Sequence, residues 1–143
     1  MHGDAIDILL VEDNVGDVYL IREAFLLGSL PKRLNVVEDG EQALDYLFRR
    51  NRYRGAARPD LVLLDLKLPR IDGHQVLQIV KSHPDLRHIP VLVLSTSDTE
   101  RDVVNAYEHH ANCYLTKPSD LDEYLDLIRE IEDYWLSMVC LPA

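Results

Sequence analysis

The sequence predicts an α/β protein with a doubly wound, parallel five-stranded sheet. Strand and helix signals alternate five times along the chain, and the strand segments are continuously apolar. A run such as Leu61–Leu64 lacks the alternation of a strand with one solvated face, which indicates burial on both faces. Buried strands that alternate with amphipathic helices are typical of a parallel sheet covered by helices on both sides.

The first half of the chain predicts two strand–helix units. Asn14 can cap the first helix, Asp17 suits its first turn, and Gly28 lies near its end. The expected elements are a strand over Ile6–Val11, a helix over residues 15–27, a strand near residues 34–37, an amphipathic helix over residues 41–50 and a basic surface loop over residues 51–59.

The second half predicts three further units. Asp72 can cap the third helix, whose apolar positions Val76, Leu77, Ile79 and Val80 are expected to face the sheet. The expected elements are strand Leu61–Leu64, helix Gly73–Ser82, a strand over residues 91–94, a helix over residues 100–109 capped by Ser97 or Asp98, a strand over residues 113–115 and a final helix from Asp120 to about Ser137.

Short connections and right-handed crossovers leave few topologies for five such units. We expect the flavodoxin-like strand order 2-1-3-4-5, in which the carboxyl ends of strands 1 and 3 lie side by side. Residues 1–143 are expected to form one domain, with a core over about residues 6–130 and a C-terminal extension over residues 131–143.

Functional groups follow four of the predicted strands where each strand ends. Glu12 and Asp13 follow the first strand, Asp65 the third, and Ser95 and Lys117 the fourth and fifth. We expect these side chains to converge, because the carboxyl ends of parallel strands share the edge where ligands bind. Clustered carboxylates repel each other unless a divalent cation lies among them, and the lysine can bind an anion. Together these groups indicate phosphoryl transfer.

Composition and charge exclude several classes of partner. The formal net charge is −10 and the isoelectric point is near 4.9, so the basic surface that binds nucleic acids or anionic membranes is lacking. No segment approaches the roughly 20 apolar residues that span a bilayer, and the N-terminus lacks a signal-peptide pattern. Cys113 and Cys140 form no metal-binding spacing, so we expect a cytoplasmic protein.

Four sequence blocks, in order, resemble the response-regulator receiver domain of two-component signalling. The resemblance covers essentially the whole chain. The blocks are Ile8-Leu9-Leu10-Val11-Glu12-Asp13, Leu63-Leu64-Asp65-Leu66-Lys67-Leu68-Pro69 with Gly73, Leu94-Ser95, and Leu115-Thr116-Lys117-Pro118.

The resemblance implies a phosphorylation site and a metal. In that family the acid matching Asp65 becomes an aspartyl phosphate, and the phosphoryl group comes from a sensor histidine kinase. Mg²⁺ is then expected to be held by Glu12, Asp13 and Asp65, together with the backbone carbonyl of Lys67.

The resemblance also implies a conformational switch. Lys117 is expected to contact the phosphoryl group, and the Ser95 hydroxyl to move and hydrogen-bond it. Tyr114 matches an aromatic position that changes between outward and inward rotamers, although an aromatic residue there can serve packing alone. The Lys117–Pro118 bond resembles one that is usually cis in receivers.

Two departures from a minimal receiver point to a subgroup. Asp13 and Asp65 are further apart than usual, with the excess in residues 51–59, and the C-terminus extends past the usual last helix. With the run Leu94-Ser95-Thr96-Ser97, these features resemble single-domain regulators partnered with phytochrome-type histidine kinases. The downstream partner is expected to be a protein, which the sequence does not identify.

The C-terminal segment predicts a homodimer. Its apolar residues are expected to lie beyond the reach of a five-stranded sheet, and an apolar tail left in water forms an exposed patch. The expected interface residues are Tyr134, Trp135, Leu136 and Val139, with Met138 and Leu141 in the same run.

Two other functions compete with a signalling switch. A phosphatase of the haloacid dehalogenase kind also uses an aspartate at a strand end, but it needs a second acid two residues later, where this chain has Lys67. A binding module that is never phosphorylated is disfavoured, because every phosphorylation residue is present. The basic loop is better explained as solvated than as a nucleic-acid site, and adjacent His109 and His110 do not face each other on a helix.

Overall fold

Five parallel strands form one sheet in the order β2-β1-β3-β4-β5, which confirms the predicted topology. The computed structural model describes residues 5–137 and 140–142. The strands are β1 (Ile6–Val11), β2 (Lys32–Val37), β3 (Leu61–Leu64), β4 (Val91–Ser95) and β5 (Cys113–Thr116). The helices are α1 (Val15–Leu26), α2 (Gly40–Leu47), α3 (Gly73–Ser82), α4 (Glu100–Glu108) and α5 (Leu121–Ile131), with a 3-10 turn at Asn51–Tyr53 and a π-helical turn at Glu132–Leu136.

The central strands bury both faces, which explains their continuously apolar sequences. In β1, Leu9 and Val11 lie in a core with residues of α2, α3 and α4. The alternate residues Ile8 and Leu10 lie in a second core with residues of α1 and α5. Side chains of successive strand residues point to opposite faces, so each strand contributes to both cores.

Several element boundaries differ from the prediction. Helix α2 ends at Leu47 rather than near residue 50, because Arg49 takes φ 56° and its N–H donates to the Tyr46 carbonyl. Strand β2 begins at Lys32, two residues early, by pairing with β1. Helix α3 has its predicted bounds and Asp72 cap, but Ile79 is 38% exposed and does not face the sheet.

The cap of α4 is also corrected. Thr99 accepts the hydrogen bond from the Asp102 N–H, so neither Ser97 nor Asp98 caps this helix. The Ser97 hydroxyl instead donates to the Asp102 carboxylate at 2.5 Å. Sequence alone could not separate these neighbouring polar residues, because each has a side chain able to cap.

The C-terminal segment folds back onto the domain, so the expectation that it lies beyond the sheet is wrong. Leu136 is 7% exposed and lies in the core between the sheet, α1 and α5, while Trp135 and Leu141 pack against that core. A buried ion pair between Lys32 and Glu132, 2.6 Å long, fixes the π-helical turn to the start of β2. Met138 and Val139 lie outside the described residues.

The Lys117–Pro118 peptide bond differs from the prediction. The Lys117–Pro118 bond is trans, so the expectation of a cis bond is wrong. The two isomers of such a bond differ by only about 0.5–1 kcal/mol, so a local resemblance does not determine which one forms.

Within residues 5–137 and 140–142, no helix has the length and apolar character needed to traverse a bilayer.

Candidate functional site

The functional groups predicted at strand ends lie together at the carboxyl edge of the sheet. The register pairs Val11 with Leu64 and Ser95 with Thr116, so the residues after these strands leave the sheet at one level. The expected convergence is therefore observed. The residues brought to this edge are Glu12, Asp13, Asp65, Ser95 and Lys117.

Three carboxylates form an acidic cluster. Oxygen atoms of Glu12, Asp13 and Asp65 all lie within 4.8 Å of one another. Glu12 and Asp65 are buried, at 1% and 8% exposed, while Asp13 is exposed. A set of oxygen donors with one open side fits a hard divalent cation, which prefers carboxylates and usually retains water ligands. Their mutual repulsion favours a bound cation at this point.

Burial perturbs the acid that lies deepest. It raises the pKa of Glu12 to about 7, despite the opposing hydrogen bond from Lys117. The nearby charge of Asp65 acts in the same direction as burial. At neutral pH and without a cation, this carboxyl group is therefore divided between its protonated and ionised forms.

Lys117 is the positive group of the site. Its Nζ donates to Glu12 Oε1 at 2.5 Å, to Asp17 Oδ2 at 2.9 Å and to Asp65 Oδ2 at 3.4 Å. Burial lowers the pKa of this lysine, but the hydrogen bonds with Glu12 and Asp17 outweigh it and raise the pKa to about 12. The ammonium group is therefore charged at physiological pH and lies beside Asp65.

Asp17 is a site residue that the sequence reasoning missed. The sequence suggested only a favourable charge in the first turn of α1, where its N–H also bonds the Asn14 side chain. The structure instead turns its carboxylate to Lys117, 100 residues away along the chain. The available signal was its position one turn after the acidic pair Glu12 and Asp13.

The loop after β3 holds Asp65 against helix α3. The Gly73 N–H donates to the Leu66 carbonyl at 2.9 Å, and a Cβ at Gly73 would lie 2.3 Å from the Asp65 carbonyl oxygen. Only a glycine permits this approach. The Lys67 N–H donates to Asp65 Oδ1 at 3.4 Å, which places the backbone of Lys67 beside the acidic cluster.

A polar network extends from the site towards α4. Ser95 is fully buried, and its hydroxyl accepts the Ser97 N–H. The Tyr114 hydroxyl donates to the Ser97 carbonyl at 2.7 Å, so this ring packs inward against the β4–α4 loop. The side chain of Ser97 contacts Asp102, which pairs with His74 at 3.1 Å. Sequence reasoning did not assign His74 or Asp102 to this region.

The remaining candidates lie away from the acidic cluster. Tyr134 is 55% exposed and makes an edge contact with Trp135, with ring centroids 5.8 Å apart. Leu136, the other described residue expected at a dimer interface, is 7% exposed and presents little surface to a second copy. His109 contacts the Asn105 carbonyl through Nδ1, which suits a helix C-terminus.

Comparison with known proteins gives consistent matches. Residues 8–129 match the family model of the response regulator receiver domain. The chain is 44% identical over 136 residues to the response regulator Rcp1 of Synechocystis sp., covering 95% of this chain and 92% of that protein. It is also 44% identical over 133 residues to the probable methanogenesis regulatory protein FilR2 of Methanothrix harundinacea, covering 93% of this chain and 85% of that protein.

Solved structures agree in fold. The crystal structure of the Mn²⁺-bound form of Rcp1 superposes with a TM-score of 0.94 at 43% identity, covering 96% of this chain and 99% of that one. The crystal structure of the phosphorylated cyanobacterial phytochrome response regulator RcpA superposes with a TM-score of 0.95 at 45% identity, covering 97% and 99%.

Proposed function

Because the chain belongs to the response regulator receiver domain family, we propose that it is a phosphorylation-controlled switch in which Asp65 accepts a phosphoryl group from a sensor histidine kinase. One observation carries the proposal. Asp65 lies within reach of both the acidic pair Glu12–Asp13 and the Lys117 ammonium group, at the open edge of the sheet.

Geometry favours Asp65 over the other two acids as the acceptor. Lys117 bonds Asp65 and Glu12, whereas Asp13 has no such contact in the described structure. Glu12 is almost fully buried and hydrogen-bonds the lysine at 2.5 Å, which leaves it poorly accessible to a phosphodonor. In the transfer, a bond forms between an Asp65 carboxylate oxygen and phosphorus, and the bond from phosphorus to the donor breaks.

Receiver domains bind a divalent metal in the acidic pocket, and we propose Mg²⁺ here. Side-chain oxygens of Glu12, Asp13 and Asp65 and the backbone carbonyl of Lys67 are its proposed ligands. When bound, the cation neutralises negative charge between the carboxylates and the incoming phosphoryl group. Lys117 contributes a second positive charge beside Asp65.

In this proposal, phosphorylation of Asp65 changes the contacts of three residues: Lys117, Ser95 and Tyr114. Lys117 forms a charge-assisted contact with the phosphoryl group, and the Ser95 hydroxyl turns to hydrogen-bond it. Ser95 also accepts the N–H of Ser97, whose carbonyl binds the Tyr114 hydroxyl. Movement of Ser95 would therefore disturb the hydrogen bond that holds the Tyr114 side chain. This connection couples the site to α4 and β5.

A phytochrome-type histidine kinase is the proposed donor. Similarity to the phytochrome response regulator RcpA supports this choice. An exposed apolar stripe on α1 offers a surface for such a partner beside the site. Its residues Val15, Tyr19 and Leu26 are 83%, 62% and 72% exposed. The receiver then signals to a downstream protein through contacts that change on phosphorylation.

Two properties of the whole chain complete the proposal. Tyr134, exposed and braced by Trp135, is proposed to lie in a homodimer interface together with Val139, which is outside the described residues. A cytoplasmic location is proposed because Cys113 and Cys140 are both free thiols. A haloacid dehalogenase-like phosphatase lacks support, because Lys67 occupies the place of its second acid.

Acetyl phosphate with Mg²⁺ tests the assignment. Intact mass spectrometry should show one phosphoryl group on the wild type, lost on chelation of the metal, and none on Asp65→Asn, which keeps the shape but removes the nucleophile. Asp60→Asn serves as a matched control, since Asp60 precedes β3 at its far end. Equal labelling of Asp65→Asn and wild type would refute the acceptor.

A further inference from the structure

The hydrogen-bonding capacity of Lys117 is fully used before any phosphoryl group arrives. A lysine ammonium group has three N–H donors. In this structure they face the carboxylates of Glu12, Asp17 and Asp65. The contact with the acceptor Asp65 is the longest, at 3.4 Å, so the shorter bonds to Glu12 and Asp17 hold the ammonium group in place before phosphorylation.

Of the two carboxylates other than the acceptor, Asp17 is the one that Lys117 can release more easily. It lies outside the acidic cluster formed by Glu12, Asp13 and Asp65. Its side chain is 19% exposed, against 1% for Glu12 and 10% for Asp65, so water can partly replace the lysine. Its charge also lies in the first turn of α1, where the helix dipole stabilises an anion.

The hydroxyl group of Tyr124 can hydrogen-bond the Asp17 carboxylate once Lys117 has released it. Tyr124 of α5 is 4% exposed, and its hydroxyl has no hydrogen-bond partner among the described residues. Tyr124 packs in the same core as Val18 and Ile21 of α1, which places it beside the helix that carries Asp17. Burial, and after it the charge of Asp17, raises the pKa of this phenol. A buried hydroxyl group without a hydrogen-bond partner lowers the stability of the folded protein, so a new hydrogen bond from Tyr124 would be favourable.

Building on the proposed function, we infer that Asp17 and Tyr124 are positioning residues of the phosphorylation switch. Asp17 holds Lys117 in the unphosphorylated state. When Lys117 turns to the phosphoryl group, the Tyr124 hydroxyl donates to the Asp17 carboxylate in its place. Asp17 thus competes with the phosphoryl group for Lys117, and Tyr124 weakens that competition.

Beryllium fluoride with Mg²⁺, a mimic of the phosphoryl group, tests the inference in the full-length chain. Asp17→Asn should bind the mimic roughly fivefold to tenfold more tightly, because Lys117 is no longer held back. Tyr124→Phe, which keeps the ring, should bind it several-fold more weakly. In the double variant the Tyr124→Phe effect should largely disappear, because no carboxylate then needs the hydroxyl.

A spectroscopic readout separates this role from simple packing. The ¹³Cζ resonance of Tyr124 should shift when the mimic binds to wild type and stay in place in Asp17→Asn. Tyr46→Phe is the matched control on the opposite face of the sheet, and Asp122→Asn controls for loss of a first-turn acid. Neither should change binding.

The outcomes distinguish the two proposals. Wild type that binds no mimic in the presence of Mg²⁺ would overturn the proposed function, and the inference with it. Wild type that binds the mimic, with Asp17→Asn and Tyr124→Phe equal to it or with purely additive effects in the double variant, would overturn the inference alone.

Discussion

At the scale of single residues, Lys117 donates hydrogen bonds to three carboxylates and is the group proposed to contact the phosphoryl group. We expect Lys117→Ala to accept some phosphoryl group from acetyl phosphate, because Asp65 and its metal ligands remain. The phosphorylated variant should fail to switch, since the charge-assisted contact is lost. Mass spectrometry measures the first property and the NMR signals of Tyr114 the second. Phosphorylation-induced changes at Tyr114 identical to those of wild type would contradict this role.

The raised pKa of Glu12 predicts that metal binding depends on pH. Because burial raises its pKa to about 7, the proton it carries at lower pH must leave before a cation binds. Affinity for Mg²⁺ should therefore fall by about tenfold per pH unit below 7 and level off above pH 8. Isothermal titration calorimetry from pH 5.5 to 8.5 measures this. Glu12→Gln should bind more weakly and lose this slope, and the same slope in that variant would assign the proton to another group.

At the scale of elements, the N-terminus of α3 packs closely against the loop that carries Asp65, the proposed acceptor. Gly73→Ala would place a Cβ 2.3 Å from the Asp65 carbonyl oxygen, which the backbone can relieve only by moving the acceptor. We expect a loss of about 1–3 kcal/mol in the free energy of unfolding, together with slower phosphorylation.

Gly55→Ala is the matched control for that substitution. No atom lies within 4 Å of a Cβ built at Gly55, so its unfolding free energy should change by less than about 0.5 kcal/mol. Chemical denaturation compares the two variants. A Gly73→Ala protein as stable and as rapidly phosphorylated as Gly55→Ala would show that the contact has no role in placing Asp65.

At the scale of the whole molecule, the fold-back of the C-terminal turn changes how a dimer must be tested. Trp135 and Leu136 pack on their own chain, so replacing Trp135 would also damage the domain. Tyr134→Ala is the cleaner test, because Tyr134 is 55% exposed. The substitution should raise the dissociation constant of a homodimer by at least tenfold, because each of the two subunits loses the same side chain.

Sedimentation at tens of micromolar, with and without beryllium fluoride, measures that assembly. Tyr107→Ala, which removes an exposed tyrosine of α4, is a control for a different face of the molecule. A monomeric wild type in both conditions would refute the dimer. A dimer that resists Tyr134→Ala but is lost in Tyr107→Ala would place the interface on α4 and β5.

The sequence by itself determined the sheet and the identity of most site residues. Continuously apolar runs have to be buried on both faces, and alternation with helices makes the strands parallel. Once the strands are parallel, groups at their carboxyl ends meet, which is why Glu12, Asp65 and Lys117 could be chosen in advance. Caps such as Asp72 were also predictable, because they act within one turn of the chain.

Only the tertiary structure decided contacts between side chains of separate elements. The bond from Asp17 to Lys117 spans 100 residues and depends on how α1 is rotated about its axis. The Tyr114 hydroxyl bonds a carbonyl of the β4–α4 loop, so its position depends on the path of that loop. The C-terminal turn folds back with Leu136 in the core and Glu132 paired with Lys32, contacts between elements far apart in sequence. Periodicity reports which residues are buried, whereas the partner of a buried polar group is set by the packing of whole elements.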